Sequence, residues 1–220
     1  MSVDKAVLWD LDGTLVDSAD LHWRSWRDTM AAEGLPLTFQ QFLDGFGQKN
    51  DRILATWLGG GVDPALVQRI ADAKEREYRR LVRERGLTPL PGAAHWIVLL
   101  HDQGWRQALA TSAPRANVDA MLEALRFQRR FEAVVAAEDV TVGKPDPLVF
   151  LTAAARLAIP PSRCIVVEDA AAGIEAARRA GMRSVGVSRT KALEADLVVA
   201  SLDELPPDAF SALLSPLTRE

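Results

Sequence analysis

The chain has 220 residues, 48% of them hydrophobic and 25% charged, with 26 Lys and Arg against 30 Asp and Glu. That is an ordinary globular composition, long enough for one large domain or for a core carrying a smaller insert. A net charge of −4 without a basic run excludes a polyanion-binding field, so neither nucleic acid nor an acidic membrane surface is an expected partner.

The longest apolar runs, such as Ile97-Val-Leu-Leu100, fall far short of the roughly 20 residues of a membrane span. Residues 1–5 are polar and lack the pattern of a secretion signal. Cys164 is the single cysteine, which excludes an internal disulfide and fits a reducing, cytoplasmic setting. Its context, Cys164-Ile-Val-Val167, is that of a strand, and there it reads as a buried, inert thiol.

In chain order, residues 6–10 read as a buried strand that ends in Asp10-Leu-Asp12-Gly13-Thr14. Two carboxylates two residues apart beyond a strand can converge on one metal ion and one reacting atom, as nucleophile and general acid/base. Asp-Gly is equally a common hairpin turn. Asp17 and Ser18 supply N-cap chemistry for a helix over 18–33, carrying Leu21, Trp23, Trp26 and Met30 and stopped by Gly34 with Pro36 beyond. Trp23 and Trp26, three apart on one helical face, suit a core better than a substrate platform. Thr38 caps a helix over 39–43, and helices over 51–58 and 64–85 follow, separated by Gly59-Gly60-Gly61 and Asp63-Pro64. This all-helical stretch reads as an inserted lid with hinges near 16–19 and 88–92; helices simply packed on a sheet are the alternative.

Past the insert, strands at 107–111, 133–136, 164–168, 184–187 and 197–200 alternate with helices at 117–125, 148–157 and 170–180, and 205–220 reads as a terminal helix. Continuous apolar strands separated by helices predict a parallel sheet covered on both faces, with sites at the carboxyl ends of the strands. Asp10, Thr111 and Glu168 each stand at such an end. Ala110-Thr111-Ser112 offers hydroxyls and N–H groups to an anion, although helix capping alone also accounts for it. Gly143-Lys144-Pro145-Asp146-Pro147 sets one lysine on a constrained loop. It is either a surface lysine or a charge screen between a carboxylate and a phosphoryl group. Glu168-Asp169-Ala-Ala-Ala-Gly173 puts adjacent acids at a strand end, where they also suit a helix N-terminus.

Together, DLDGTLVDS, TSAPRAN, GKPDP and VEDAAAGIEAARRAGM resemble, in order and spacing, the four signatures of the haloacid dehalogenase superfamily of phosphotransferases, over residues 6–187. The likeness is strongest to the β-phosphoglucomutase-like and sugar-phosphatase branch, whose helical cap follows the first motif. It implies an α/β fold: a Rossmann-like parallel-sheet core over residues 1–17 and 87–220, with helices on both faces, and an inserted α-helical cap over 18–86. It also implies that Asp10 is the nucleophile, forming an aspartyl phosphate, and that Asp12 is the general acid/base. Mg²⁺ would be held by Asp10, the Asp12 backbone carbonyl and Asp169, with Glu168 orienting a metal-bound water. Thr111, Ser112 and Lys144 would hold phosphoryl oxygens.

His22, Lys49 and Lys74 fall where β-phosphoglucomutases keep a His, an Arg and a Lys, so with Arg115 they form the expected substrate-binding set. Lys49 in place of Arg loses bidentate phosphate recognition. Ala113-Pro114-Arg115 stands where mutases hold a distal phosphate with a Ser-Lys pair, and Thr14 and Val16 also depart from the mutase pattern. These departures favour a Mg²⁺-dependent phosphatase acting on a small phosphomonoester, a sugar phosphate, over the mutase alternative. The four intact motifs oppose a third reading, an inactive regulatory binding protein. The expected partner is a small phosphorylated metabolite, and the expected state a monomer or small homo-oligomer.

Overall fold

The computed structural model describes residues 4–46, 48–59, 61–188, 190 and 192–215. Gly60 of the expected glycine loop, the first residues of the polar start and residues 216–220 of the expected terminal helix lie outside the described residues.

The described strands are β1 (Ala6–Trp9), β2 (Arg106–Ala110), β3 (Ala133–Val135), β4 (Cys164–Glu168), β5 (Arg183–Val187) and β6 (Leu197–Val199). They form one sheet in the order β3-β2-β1-β4-β5-β6, every neighbouring pair parallel. The helices are α1 (Ala19–Ala32), α2 (Phe39–Gly45), α3 (Asn50–Leu58), α4 (Pro64–Arg85), α5 (Ala93–Asp102), α6 (Arg115–Leu125), α7 (Leu148–Leu157), α8 (Ala171–Arg179) and α9 (Ala209–Leu214). This is the Rossmann-like α/β architecture expected from the alternation of apolar strands and helices.

Every residue of β1 and β4 is buried, as a strand covered on both faces requires. Alternation splits the contacts between those faces. Ala6 and Leu8 join Phe150, Ala153 and Leu157 of α7 and Ala176 and Ala177 of α8 in one apolar cluster. The Trp9 ring lies 6.1 Å from that of Phe210 in α9, and its Nε1–H donates to Gln107 Oε1 at 2.8 Å. Gln107 Nε2 in turn donates to the Ile97 carbonyl of α5 at 2.8 Å, so both polar groups of this buried residue are partnered.

Trp9 pairs with Leu109 on one side and Val167 on the other, which brings the carboxyl ends of β1, β2 and β4 level. Asp10 N–H continues the ladder to the Val167 carbonyl at 3.0 Å, and Thr111 N–H to that of Val135 at 3.0 Å. The chain runs outward from β1 to β2 and β3, then crosses back to β4. Asp10 and Glu168 therefore flank the point where strand order reverses, the place where such sheets leave a crevice.

No element is expected over residues 93–102, whereas the structure forms α5 there. Ala93, Trp96, Ile97 and Leu100 are buried at i, i+3, i+4 and i+7, a helical period that the sequence carries but that the adjoining apolar Val98 and Leu99 mask. The expected terminal helix is confined to α9 among the described residues.

The chain divides into two compact units, one within Met1–Asp17, Thr88–Arg115 and Arg126–Glu220, the other within Ser18–Leu87 and Ala116–Leu125. The first holds the sheet. The second is helical, with a core of Trp26 and Met30 from α1, Phe42 from α2, Ile53 and Leu54 from α3 and Ile70 from α4. Trp23 packs against that core's edge. Local rules start its helices: Thr38 and Gln41 form a capping box at α2, and Asp63 caps α4 by accepting from Ala65 N–H at 2.9 Å, with Pro64 at the first position.

Candidate active site

Beyond β1 the chain turns sharply. Gly13 N–H donates to the Val16 carbonyl at 2.8 Å, and Leu15 N–H to that of Leu11 at 2.9 Å. Gly13 has φ +85°, and a Cβ there would come within 2.5 Å of Asp169 Oδ2. A side chain at 13 would thus be strained in its backbone and would displace an acid from the site. Asp12 lies in this turn, half-buried and bridged to Val16.

Four charged groups converge at the strand ends. Lys144 Nζ donates to Asp10 Oδ1 at 2.6 Å and to Glu168 Oε1 at 2.7 Å. Glu168 Oε2 accepts from Ala170 N–H at 2.6 Å, which turns its carboxylate over the first turn of α8. Asp10, Glu168 and Asp169 each offer an oxygen within 4.8 Å of the others. Asp10 and Glu168 are only 6% and 2% exposed, so these charges act through a low-dielectric medium.

Burial raises the Asp10 carboxyl well above the ordinary aspartate range; the Lys144 charge opposes this, while Glu168 and Asp169 add to it. Burial disfavours the Lys144 ammonium, but Asp10 and Glu168 outweigh burial and hold it above the ordinary lysine range. Two carboxylates thus face one ammonium with the half-buried Asp169 beside them, an excess of negative charge that a divalent cation would relieve. The donors are all hard oxygens, with no imidazole or thiolate among them, and that set fits Mg²⁺.

Thr111 is buried, and its Oγ1 accepts from Ala113 N–H at 3.1 Å; Ser112 is exposed. Arg115 is engaged elsewhere. Its guanidinium donates to the Val134 carbonyl at 2.9 Å and pairs with Asp139, while its backbone N–H donates to Glu138. These contacts tie Arg115 to the end of β3 and the turn after it, with its side chain still partly exposed. Asp139 also pairs with Arg156 at 2.8 Å. Cys164 is buried, its thiol pushed up to about 12 by desolvation, as an inert group would be.

In the helical unit, Lys74 Nζ meets His22 Nδ1 at 3.0 Å and Glu75 Oε1 at 2.8 Å, while Lys49 is exposed at the start of α3. The His22 ring stacks on Tyr78 with centroids 4.0 Å apart. Glu75 also accepts from Asn50 Nδ2 at 2.6 Å and from Asn117 Nδ2. Burial works against the Glu75 carboxylate, but Lys74 and the amide donors outweigh it and leave the group below its ordinary range. Glu75, Asn117 and Asp139 are not among the residues expected from sequence to take part in a site. The charge of Lys74 beside Glu75 was the one available signal, and nothing in the sequence placed Asn117 against either.

A family model described as "Hydrolase: haloacid dehalogenase-like hydrolase" matches residues 5–181. The chain belongs to that family. It is 34% identical over 211 residues to a β-phosphoglucomutase of Bacillus subtilis, covering 91% of each chain. It is 30% identical over 212 residues to hexitol phosphatase B of Escherichia coli, covering 91% of this chain and 93% of that one. A solved β-phosphoglucomutase structure from Clostridium difficile superposes with a TM-score of 0.86 at 28% identity, over 96% of this chain and 97% of that one. Haloacid dehalogenase-like relatives thus include both a mutase and a phosphatase.

Proposed function

We propose that the chain is a Mg²⁺-dependent phosphatase that hydrolyses a small phosphomonoester, a sugar phosphate, through an aspartyl phosphate on Asp10. The observation that carries this reading is the buried Asp10 carboxylate held by Lys144 beside Glu168 and Asp169 at the carboxyl end of β1. Asp10 attacks phosphorus, forming the O–P bond as the bond to the substrate's bridging oxygen breaks. Asp12 gives its proton to that leaving oxygen. It then takes a proton from the water that attacks phosphorus, releasing inorganic phosphate and restoring Asp10. Lys144 and the Thr111 and Ser112 hydroxyls hold the transferring oxygens, so the charge spread over them meets fixed donors. A cation held by Asp10, Asp169 and the Asp12 main-chain carbonyl would supply further charge neutralisation.

The pairing of Arg115 with Asp139 favours hydrolysis, since it commits the cation that follows the second motif. The higher identity to the β-phosphoglucomutase than to hexitol phosphatase B favours the second reading, a phosphosugar mutase. A panel of sugar phosphates incubated with Mg²⁺ separates the two. Net phosphate release supports the phosphatase, whereas conversion of β-glucose 1-phosphate without release supports the mutase. Turnover unaffected by EDTA would overturn the metal dependence.

A further inference from the structure

Glu168 occupies space that only one residue leaves open. Its carboxylate folds back over α8, fixed by Lys144 Nζ at 2.7 Å and Ala170 N–H at 2.6 Å. A Cβ on Gly173 would stand 1.9 Å from Glu168 Oε1, 2.1 Å from Cδ and 2.5 Å from Cγ. No rotation of a terminal atom relieves that overlap, because the obstructed atoms include the carboxyl carbon and the methylene behind it. Gly173 lies inside a helix and its backbone needs no left-handed conformation, so what it contributes is room.

We infer that Gly173 is a positioning residue for the reaction proposed above: its missing side chain is the seat of the Glu168 carboxylate, and through Glu168 it sets where Lys144 stands beside Asp10. Lys144 is tethered on two sides, by Asp10 and by Glu168. A methyl group at 173 expels the second tether, and the ammonium then follows Asp10 alone. A displacement on the order of 1 Å at reacting groups costs about 10²-fold in rate.

The ordinary effect of the substitution has the opposite sign. Gly to Ala inside a helix stabilises by restricting the unfolded chain. The test is a cycle of Gly173→Ala, Glu168→Ala and the double variant, read by thermal unfolding in EDTA and by kcat on p-nitrophenyl phosphate with Mg²⁺. Gly173→Ala alone is expected to lower the melting temperature and to cut kcat by about 10²-fold with little change in KM. In the Glu168→Ala background the same change is expected to raise the melting temperature and leave kcat as it was. Glu168→Asp, shorter by a methylene, is expected to restore part of the kcat lost in Gly173→Ala. Should Gly173→Ala fail to fold, recovery of a folded protein in the double variant supports the assignment, and failure of both overturns it. Stabilisation in both backgrounds, or additive losses, also overturns it. The unfolding arm involves no turnover, so it stands or falls apart from the phosphatase reading.

Discussion

Asp10 sits where burial and two neighbouring acids work against its charge and Lys144 alone favours it. A carboxyl whose folded value lies above its unfolded one subtracts stability at every pH above the unfolded value. Asp10→Asn is therefore expected to raise the melting temperature of the metal-free protein at pH 7, while turnover falls by on the order of 10³-fold or more. Unfolding in EDTA and acid-quenched labelling with substrate check the two halves. A label on the protein that survives this substitution would remove Asp10 as nucleophile. Asp12→Ala is expected to slow turnover by about 10²–10⁴-fold, the range of general acid/base catalysis. Single-turnover kinetics should show both the formation and the breakdown of the labelled protein slowed.

At the scale of elements, Asp139 ties the end of β3 to α6 and α7 through Arg115, Arg156 and the Ala136 N–H. The Arg156 hydrogen bond is the largest cause, working against partial burial, that lowers Asp139 to about 2. Its folded value lies below the unfolded aspartate value of about 3.9, so its stabilisation is present above that value and is lost as pH falls through about 2. Asp139→Asn should cost about 1 kcal/mol at pH 7, less than the shift alone implies because both arginines are partly exposed and screened. Urea unfolding at pH 7 and near pH 2 checks this: the difference from the parent should shrink to a small fraction at the lower pH. Asp139 was not legible from sequence, because Glu138-Asp139 reads as ordinary surface charge until Arg115 and Arg156 are brought to it.

For the molecule as a whole, the sheet unit carries the proposed chemistry and the helical unit is proposed to select the substrate. Within the helical unit, Lys74 is committed to Glu75, so removing it strands a buried carboxylate and destabilises that unit as well. Lys49→Ala, at an exposed position, is a cleaner probe than His22→Ala, which also removes the ring stacked on Tyr78 and a contact of Lys74. Each is expected to lower kcat/KM for the best sugar phosphate by about 10-fold or more, and that for p-nitrophenyl phosphate far less. Equal losses on both substrates would place these residues in the chemical step. No loss on either would leave the helical unit with a purely structural role.

Residue order alone determined the parallel sheet, the acids at its strand ends, and the family. Buried parallel strands have to be apolar throughout, and a phosphoryl-transfer site needs particular residue types at fixed distances past those strands. What sequence order does not encode is which oxygen faces which donor. Whether Lys144 lay on the surface or between two carboxylates was decided by the pairing of β1 with β4, which sets Asp10 beside Glu168. That Arg115 pairs with Asp139, 24 residues away along the chain, was decided by the fold as well. The need for glycine at 173 became visible only when Glu168 folded back over α8, because steric room between side chains is a property of their packing.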